Sequence, residues 1–284
     1  MNPHVRHSVS SLPPEGAAAA LGAARRRLTN MASNLRPFVF PAVLLGALEL
    51  WARTTGRGSD ALAPPSAAVR AFGAALSDGS LLAATAFTLG SAGLGLLIGA
   101  VLGLALGTLL GLSRRAARLA SLSVEVARPV PSVALIPLAL LVFGFGLRLE
   151  VSVVAFACLW PMLVLTQAAV QQVEPRLLEV ARALQLSTWQ RFVWIVGPAI
   201  VPRLFVALRL GVAIALVVAV TVEIAANPHG MGYALIIAQQ SLDPALMLAW
   251  LGWVGAVGFA INAAALALQR TVARRMGAGG EGGA

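Results

Sequence analysis

The side chains able to do chemistry are few and poorly placed for it. The 284-residue chain holds three histidines and one cysteine. Two of the histidines, His4 and His7, fall in the N-terminal tail. That leaves one body histidine, so neither a His-based triad nor a metal-ligand cluster can be assembled, and no metal site is expected. Cys158 lies inside an apolar run with no second thiol to pair with, and reads as a packed membrane thiol. All 21 basic residues are arginine. With no lysine there is neither a phosphate-loop lysine for nucleotide hydrolysis nor a Schiff-base lysine for pyridoxal chemistry. The 11 acids are scattered along the chain, whereas an integral-membrane enzyme needs them grouped near one membrane face. No catalytic residue and no cofactor is assigned, and any energy must come from elsewhere.

These residues sit in a chain that is 58% hydrophobic and 11% charged, too little polar surface to cover a soluble globule of this size. A lipid solvent resolves the imbalance. A helix crossing the hydrocarbon core needs about 20 mostly apolar residues. Six stretches come near that length: 37–52, 84–112, 129–146, 151–172, 200–222 and 246–268. The expected fold is all-α, a polytopic membrane bundle of six helices. The arginines sit at the edges of the apolar runs, which marks them as topology signals and argues against a nucleic-acid partner. Sixteen of the 21 fall on one side, including Arg114, Arg115, Arg118, Arg128, Arg176, Arg182, Arg191 and Arg203. By the positive-inside rule both termini are expected in the cytoplasm. Residues 1–35 read as a cytoplasmic tail, 36–82 as the first span and its periplasmic loop, 83–270 as the transmembrane core, and 271–284 as a second tail.

Three features within the spans stand out. Gly95, Gly99, Gly103, Gly107 and Gly111 recur every four residues, which predicts a tight helix-helix seam. Pro161 falls in the middle of the fourth span and reads as a hinge or a tolerated kink. Ionisable residues are costly in lipid and so point to function. Arg209 is the deepest charge by this reading and is expected to pair with another helix, to snorkel, or to attract an anionic solute. Thr221, Glu223 and Asn227, at and after the end of the fifth span, face either a solute pathway or the headgroups. Asn227, Pro228 and Gly230 are equally ordinary turn residues.

The longest internal loop, 174–198, begins the sequence EPRLLEVARALQLSTWQRFVWIVGPAIVP, which runs from Glu174 to Pro202. Pro175 suits a first helical turn, and Leu177, Ala181 and Leu184 share one face, so a short amphipathic helix is expected. Such a helix lies on the membrane or fills a groove on a partner protein.

This loop resembles the EAA loop of permease subunits of binding-protein-dependent ABC importers. That pattern is Glu-Ala-Ala, three residues, Gly, nine residues, then Ile, any residue, Leu and Pro. Glu179, Ala181, Ile195 and Pro198 match it in register, while Val180 replaces an Ala and Gly197 the Leu. Gln185 stands at the Gly position, which implies a straighter or differently packed turn. The segments RPVPSVALIPLALLVFGFG and EIAANPHGMGYALIIAQQSLDPALMLA resemble the third span and the last interspan stretch of the nitrate, taurine and aliphatic sulfonate permeases. The likeness covers roughly residues 80–270.

The resemblance implies a type I ABC importer transmembrane domain, working as a homodimer with a cytosolic ATPase dimer and a periplasmic or lipid-anchored solute-binding protein. It implies that Glu179, Val180, Ala181, Gln185, Ile195 and Pro198 couple to the ATPase, and that Arg209, Thr221, Glu223 and Asn227 lie near the pathway. The implied solute is a small sulfonate, taurine or nitrate-like anion. Alternatives are a thiamine-precursor pyrimidine or another small heterocycle carried by the same type of permease, and an ion-driven secondary transporter, which would show inverted repeats and buried coupling carboxylates.

Overall fold

The computed structural model describes residues 39–40, 43–54 and 63–275. Residues 43–54 form helix α1, part of a first unit ending at Gly58, in which Arg53 donates from Nε to Glu49 Oε1 at 2.5 Å. The rest of the expected first span, the N-terminal tail and residues 276–284 lie outside the described residues, while 271–275, expected in the second tail, continue the last helix.

The second unit is helical throughout its described length. It runs α2 (Pro65–Ser77), α3 (Ser80–Leu112), α4 (Arg114–Ala127), a 3-10 turn (Ser132–Leu135), α5 (Ile136–Phe143) and α6 (Leu147–Gln171). Then follow α7 (Pro175–Ala183), α8 (Thr188–Arg191), a π turn (Phe192–Val196), α9 (Gly197–Ala225), α10 (Gly230–Gln240) and α11 (Pro244–Arg275). Four helical stretches are long and apolar enough to span a bilayer: Ser80–Leu112, Leu147–Gln171, Trp189–Ala225 and Pro244–Val272. The bent pair Arg114–Ala127 and Ser132–Phe143 makes a fifth if it is counted as one span. The expected all-α membrane bundle is borne out, and six spans remain compatible with these elements.

The glycine ladder does what its spacing predicts. A Cβ built on Gly95, Gly103 or Gly111 would lie 2.6 Å from Cβ of Val154, Met162 or Val170, and one on Gly107 would lie 2.7 Å from Cβ of Thr166. Both helices therefore present every fourth residue to the other, glycine on α3 against larger side chains on α6. With lipid as apolar as leucine, such backbone approach and dispersion contact are what hold the two helices together. α9 packs across this pair, and its Ala215, Val218, Ala219 and Val222 close a core with Leu149, Val153, Val154 and Cys158 of α6. A second core joins Leu81 of α3, Met231 and Ala238 of α10, and Trp250 and Val257 of α11. Large apolar side chains such as Leu97, Val101, Val217 and Phe259 stay exposed, as a lipid-facing surface requires.

The third expected span, 129–146, is not a continuous helix. α4 ends at Ala127, and the chain turns through 81° before the 3-10 turn and the eight-residue α5. At 1.5 Å per residue α5 is only about 12 Å long, well short of a bilayer core. Pro129 and Pro131 explain the break, since each lacks the N–H that would continue the ladder, and Pro137 fits the first turn of α5. By contrast α6 remains helical through Pro161, the tolerated-kink outcome.

Candidate functional site

Two constellations stand at opposite ends of the bundle. At the end carrying α10, the polar residues of α3 continue the glycine stripe: Thr88 and Ser91 lie on the same face as Gly95 and Gly99 and are both fully buried. They face two buried carboxylates, Glu150 in the first turn of α6 and Glu223 in the last turn of α9. The Ser91 hydroxyl donates to Glu150 Oε1, and Asn227 donates from Nδ2 to Glu150 Oε2 at 2.5 Å. Thr88 Oγ1 donates to Glu223 Oε1 at 2.6 Å and accepts from Met231 N at 3.0 Å. Gly232 N, in the first turn of α10, donates to Glu223 Oε2 at 2.8 Å.

Glu223 thus sits at a helix N-terminus, where free amides and the helix dipole favour an anion. Its carboxyl occupies the space that side chains on α10 would need. A Cβ on Gly232 would lie 2.8 Å from Glu223 Cβ, and one on Gly230, whose φ is 91°, would lie 2.7 Å from Glu223 Oε2. The spacing Gly-Met-Gly at 230–232 is accordingly a close-approach requirement. The network joins α3, α6, α9 and α10, so it fixes the reentry of the chain after α9 by bonds that are nearly all shielded from water.

Of the residues singled out for a pathway, Glu223 and Asn227 are brought together here. Thr221 is not: its hydroxyl bonds back to Val217 O at 2.7 Å. Nor is Arg209, which donates from Nε to Asn262 Oδ1 of α11 at 3.3 Å, the expected pairing with another helix. Glu150 was missed in the sequence because the fourth span was started one residue after it. The legible signal was the pair Thr88 and Ser91, polar residues in register with the glycine ladder.

At the other end lies the 174–198 loop. α7 presents Glu179 and Val180 outward, with Val180 52% exposed, while Ala181 is buried at 1%. Leu177 and, just past the helix, Leu184 are also exposed, so part of the apolar surface here is uncovered in the single chain. The helix closes with Leu184 N donating to Val180 O and Leu186 N to Ala181 O, at 2.9 and 3.0 Å. Gln185 between them has φ of 51°, the left-handed conformation that glycine adopts without strain. The expected straightening of this turn does not occur. The closing hydrogen bonds impose the left-handed step, and the glutamine adopts it. Ser187 and Gln190 then form a reciprocal cap, Ser187 N to Gln190 Oε1 at 2.9 Å and Gln190 N to Ser187 Oγ at 3.3 Å, which starts α8. Ile195 is half-buried in the π turn, and Pro198 lies exposed in the first turn of α9. Among the described residues there is no group of three or more His, Cys, Asp or Glu able to hold a metal.

A bundle of this kind, with a tight two-helix seam, a broken span and a short helix projecting at one end, belongs to the membrane subunits of transport systems. Residues 95–278 match the family of binding-protein-dependent transport system inner membrane components, and the chain belongs to that family. It is 30% identical over 210 residues to the putative aliphatic sulfonates transport permease protein SsuC of Escherichia coli, spanning 74% of this chain and 80% of the relative. It is 32% identical over 256 residues to the riboflavin transport system permease protein RibX of Chloroflexus aurantiacus, spanning 87% and 96%. Among solved structures, an inward-facing conformation of the MetNI methionine ABC transporter superposes with a TM-score of 0.59 at 19% identity, covering 65% of this chain and 92% of the other. The chain is therefore a multi-pass permease subunit of the ABC importer class, a transport component and not itself an enzyme.

Proposed function

We propose that this permease conducts a small organic or inorganic anion of the sulfonate, taurine or nitrate type, and that it is driven by a separate cytosolic ATPase docked on α7. Two copies pair across the membrane, both termini are cytoplasmic, and a periplasmic or lipid-anchored binding protein delivers solute to the α10 end. Glu179, Val180, Ala181, Gln185, Ile195 and Pro198 form the coupling loop. The observation that carries this reading is α7 itself, a short helix whose acidic and apolar residues are uncovered and whose left-handed exit is kept despite the loss of glycine. A packed helix moves as a rigid body, so closure of an ATPase dimer around two such helices would be transmitted to α6 and α9. Aliphatic sulfonates are the solute named for the Escherichia coli relative, which supports the choice of anion.

The test is co-purification of the detergent-solubilised chain with its genomic-neighbour ATPase, comparing wild type with Glu179→Arg. Wild type is expected to retain the ATPase and the charge reversal to release it. A wild-type chain that binds no ATPase and still transports on an ion gradient would refute the proposal.

A further inference from the structure

We infer that the break between α4 and α5 forms a binding site for a small organic anion of the sulfonate class, with Arg128 supplying the charge and Ser132 a second donor. This rests on the permease reading above and states where in the chain the solute is held.

A cavity of about 440 Å³ lies between the break and the middles of α6 and α9, its walls including Arg128, Ser132, Phe156, Ala157, Trp160 and Pro161. That volume falls within the usual range for small-molecule sites. α6 has 25 residues, and Phe156 to Pro161 straddle its midpoint. At 1.5 Å per residue these positions stand roughly 13–23 Å from the two ends of the helix. Counting arginines along the sequence puts Arg128 with the cytoplasmic edge charges. The break also brings it onto the wall of this cavity.

Arg128 is an exposed residue at the end of α4 that contributes its side chain to the wall of this cavity, and a charge beside apolar walls is retained where it serves a partner or a pathway. Among the described residues no carboxylate pairs with Arg128, and its guanidinium makes no hydrogen bond, its backbone N–H alone donating to Val124 O at 2.9 Å. No acidic side chain lines the cavity. Its net charge is therefore positive, and its complement is an anion. The Ser132 hydroxyl, placed at the first residue of the 3-10 turn by Pro131, also lacks a partner among the described residues and is free to donate to the same oxyanion.

The opposite wall suits the rest of a small solute. Phe156 and Trp160 meet edge to face, their centroids 5.6 Å apart, and offer an apolar surface to a short carbon chain. Trp160 Nε1 is closed off from solvent and has no acceptor. Pro161 cannot donate to the carbonyl of Ala157 four residues earlier, so one backbone acceptor on this wall is left for a donor at the tail of the solute. One charge and few hydrogen bonds give weak, reversible holding, which passage through a membrane requires.

The experiment uses the purified complex of this chain with its ATPase in neutral detergent, without nucleotide, and measures binding of radiolabelled ethanesulfonate by equilibrium dialysis. Wild type is expected to bind saturably with Kd below ~10 mM. Arg128→Gln should weaken binding roughly tenfold or more, Arg128→Lys less, and an uncharged sulfone of the same size should not compete. Where Arg128→Gln fails to assemble, Ser132→Ala and Trp160→Phe replace it, and at least one must weaken binding by about threefold. No saturable binding to wild type, binding unchanged by these substitutions, or displacement of ethanesulfonate by phosphatidylglycerol would each overturn the site. Failure of the permease reading looks different, because wild type would then not retain the ATPase at all.

Discussion

Replacing Gly103 by alanine isolates the seam between α3 and α6. The new Cβ would stand 2.6 Å from Met162 Cβ, 2.7 Å from Leu159 O and 2.9 Å from Leu163 N. Two of these are backbone atoms of α6, which no rotamer change can move, so the helices must separate. Overpacking of a close contact costs about 1–3 kcal/mol, and alanine's better helix propensity returns only about 1 kcal/mol. The control is Gly252→Ala in α11, where a Cβ meets nothing within 4 Å and the propensity gain stands alone. Gly103→Ala should therefore melt roughly 2–6 °C below wild type, and Gly252→Ala at or slightly above it. Thermal unfolding of the detergent-purified chain, followed by intrinsic tryptophan fluorescence, separates the two. Equal melting temperatures for both variants would mean that the seam is loose in solution and that the ladder's spacing carries no packing constraint.

Gln185→Gly should raise stability by about 1 kcal/mol, because it removes the left-handed penalty; a drop in melting temperature would contradict the strained-turn account. Glu223→Ala leaves the Gly232 amide buried without its acceptor, while the Thr88 hydroxyl turns to Ala84 O at 3.1 Å, and should cost about 2 kcal/mol, with faster proteolysis between α9 and α10, whereas Glu223→Gln keeps one of the two bonds and should cost about 1 kcal/mol. Arg209→Leu should cost no more than about 1 kcal/mol, and a double-mutant cycle with Asn262→Ala should give a coupling below that, since the bond is long and partly solvated.

Much of the architecture was legible because it rests on repetition. Lipid removes the hydrophobic contrast between helices, so small residues at a fixed step are the packing code, and the five glycines of α3 announce their seam without any partner sequence. α7 was legible for a related reason, since a helix that leaves the membrane regains an amphipathic period. The site at the α10 end was half visible. Glu223 and Asn227 could be flagged as polar groups near a span end, but their partner Glu150 looked like an edge residue. Only Thr88 and Ser91, in register with the glycines, carried the information that a polar surface continues into the seam.

The region from Arg128 to Pro137 shows what apolar counting misses. Summed hydropathy is blind to order, and over 129–146 it treats three prolines as inert members of one span. The backbone does not: each proline removes a donor, and together they divide the stretch into pieces none of which crosses a bilayer alone. The same blindness hides what Arg128 faces, because the surroundings of a charge at the end of an apolar stretch depend on whether that stretch runs straight. Once the chain bends by 81°, the end of α4 faces α6 and α9, and its arginine becomes a wall of the cavity. Non-helical backbone at membrane depth persists only where it lines a cavity or is covered by protein. The prolines that hide this segment from a span count are thus the residues that build its opening.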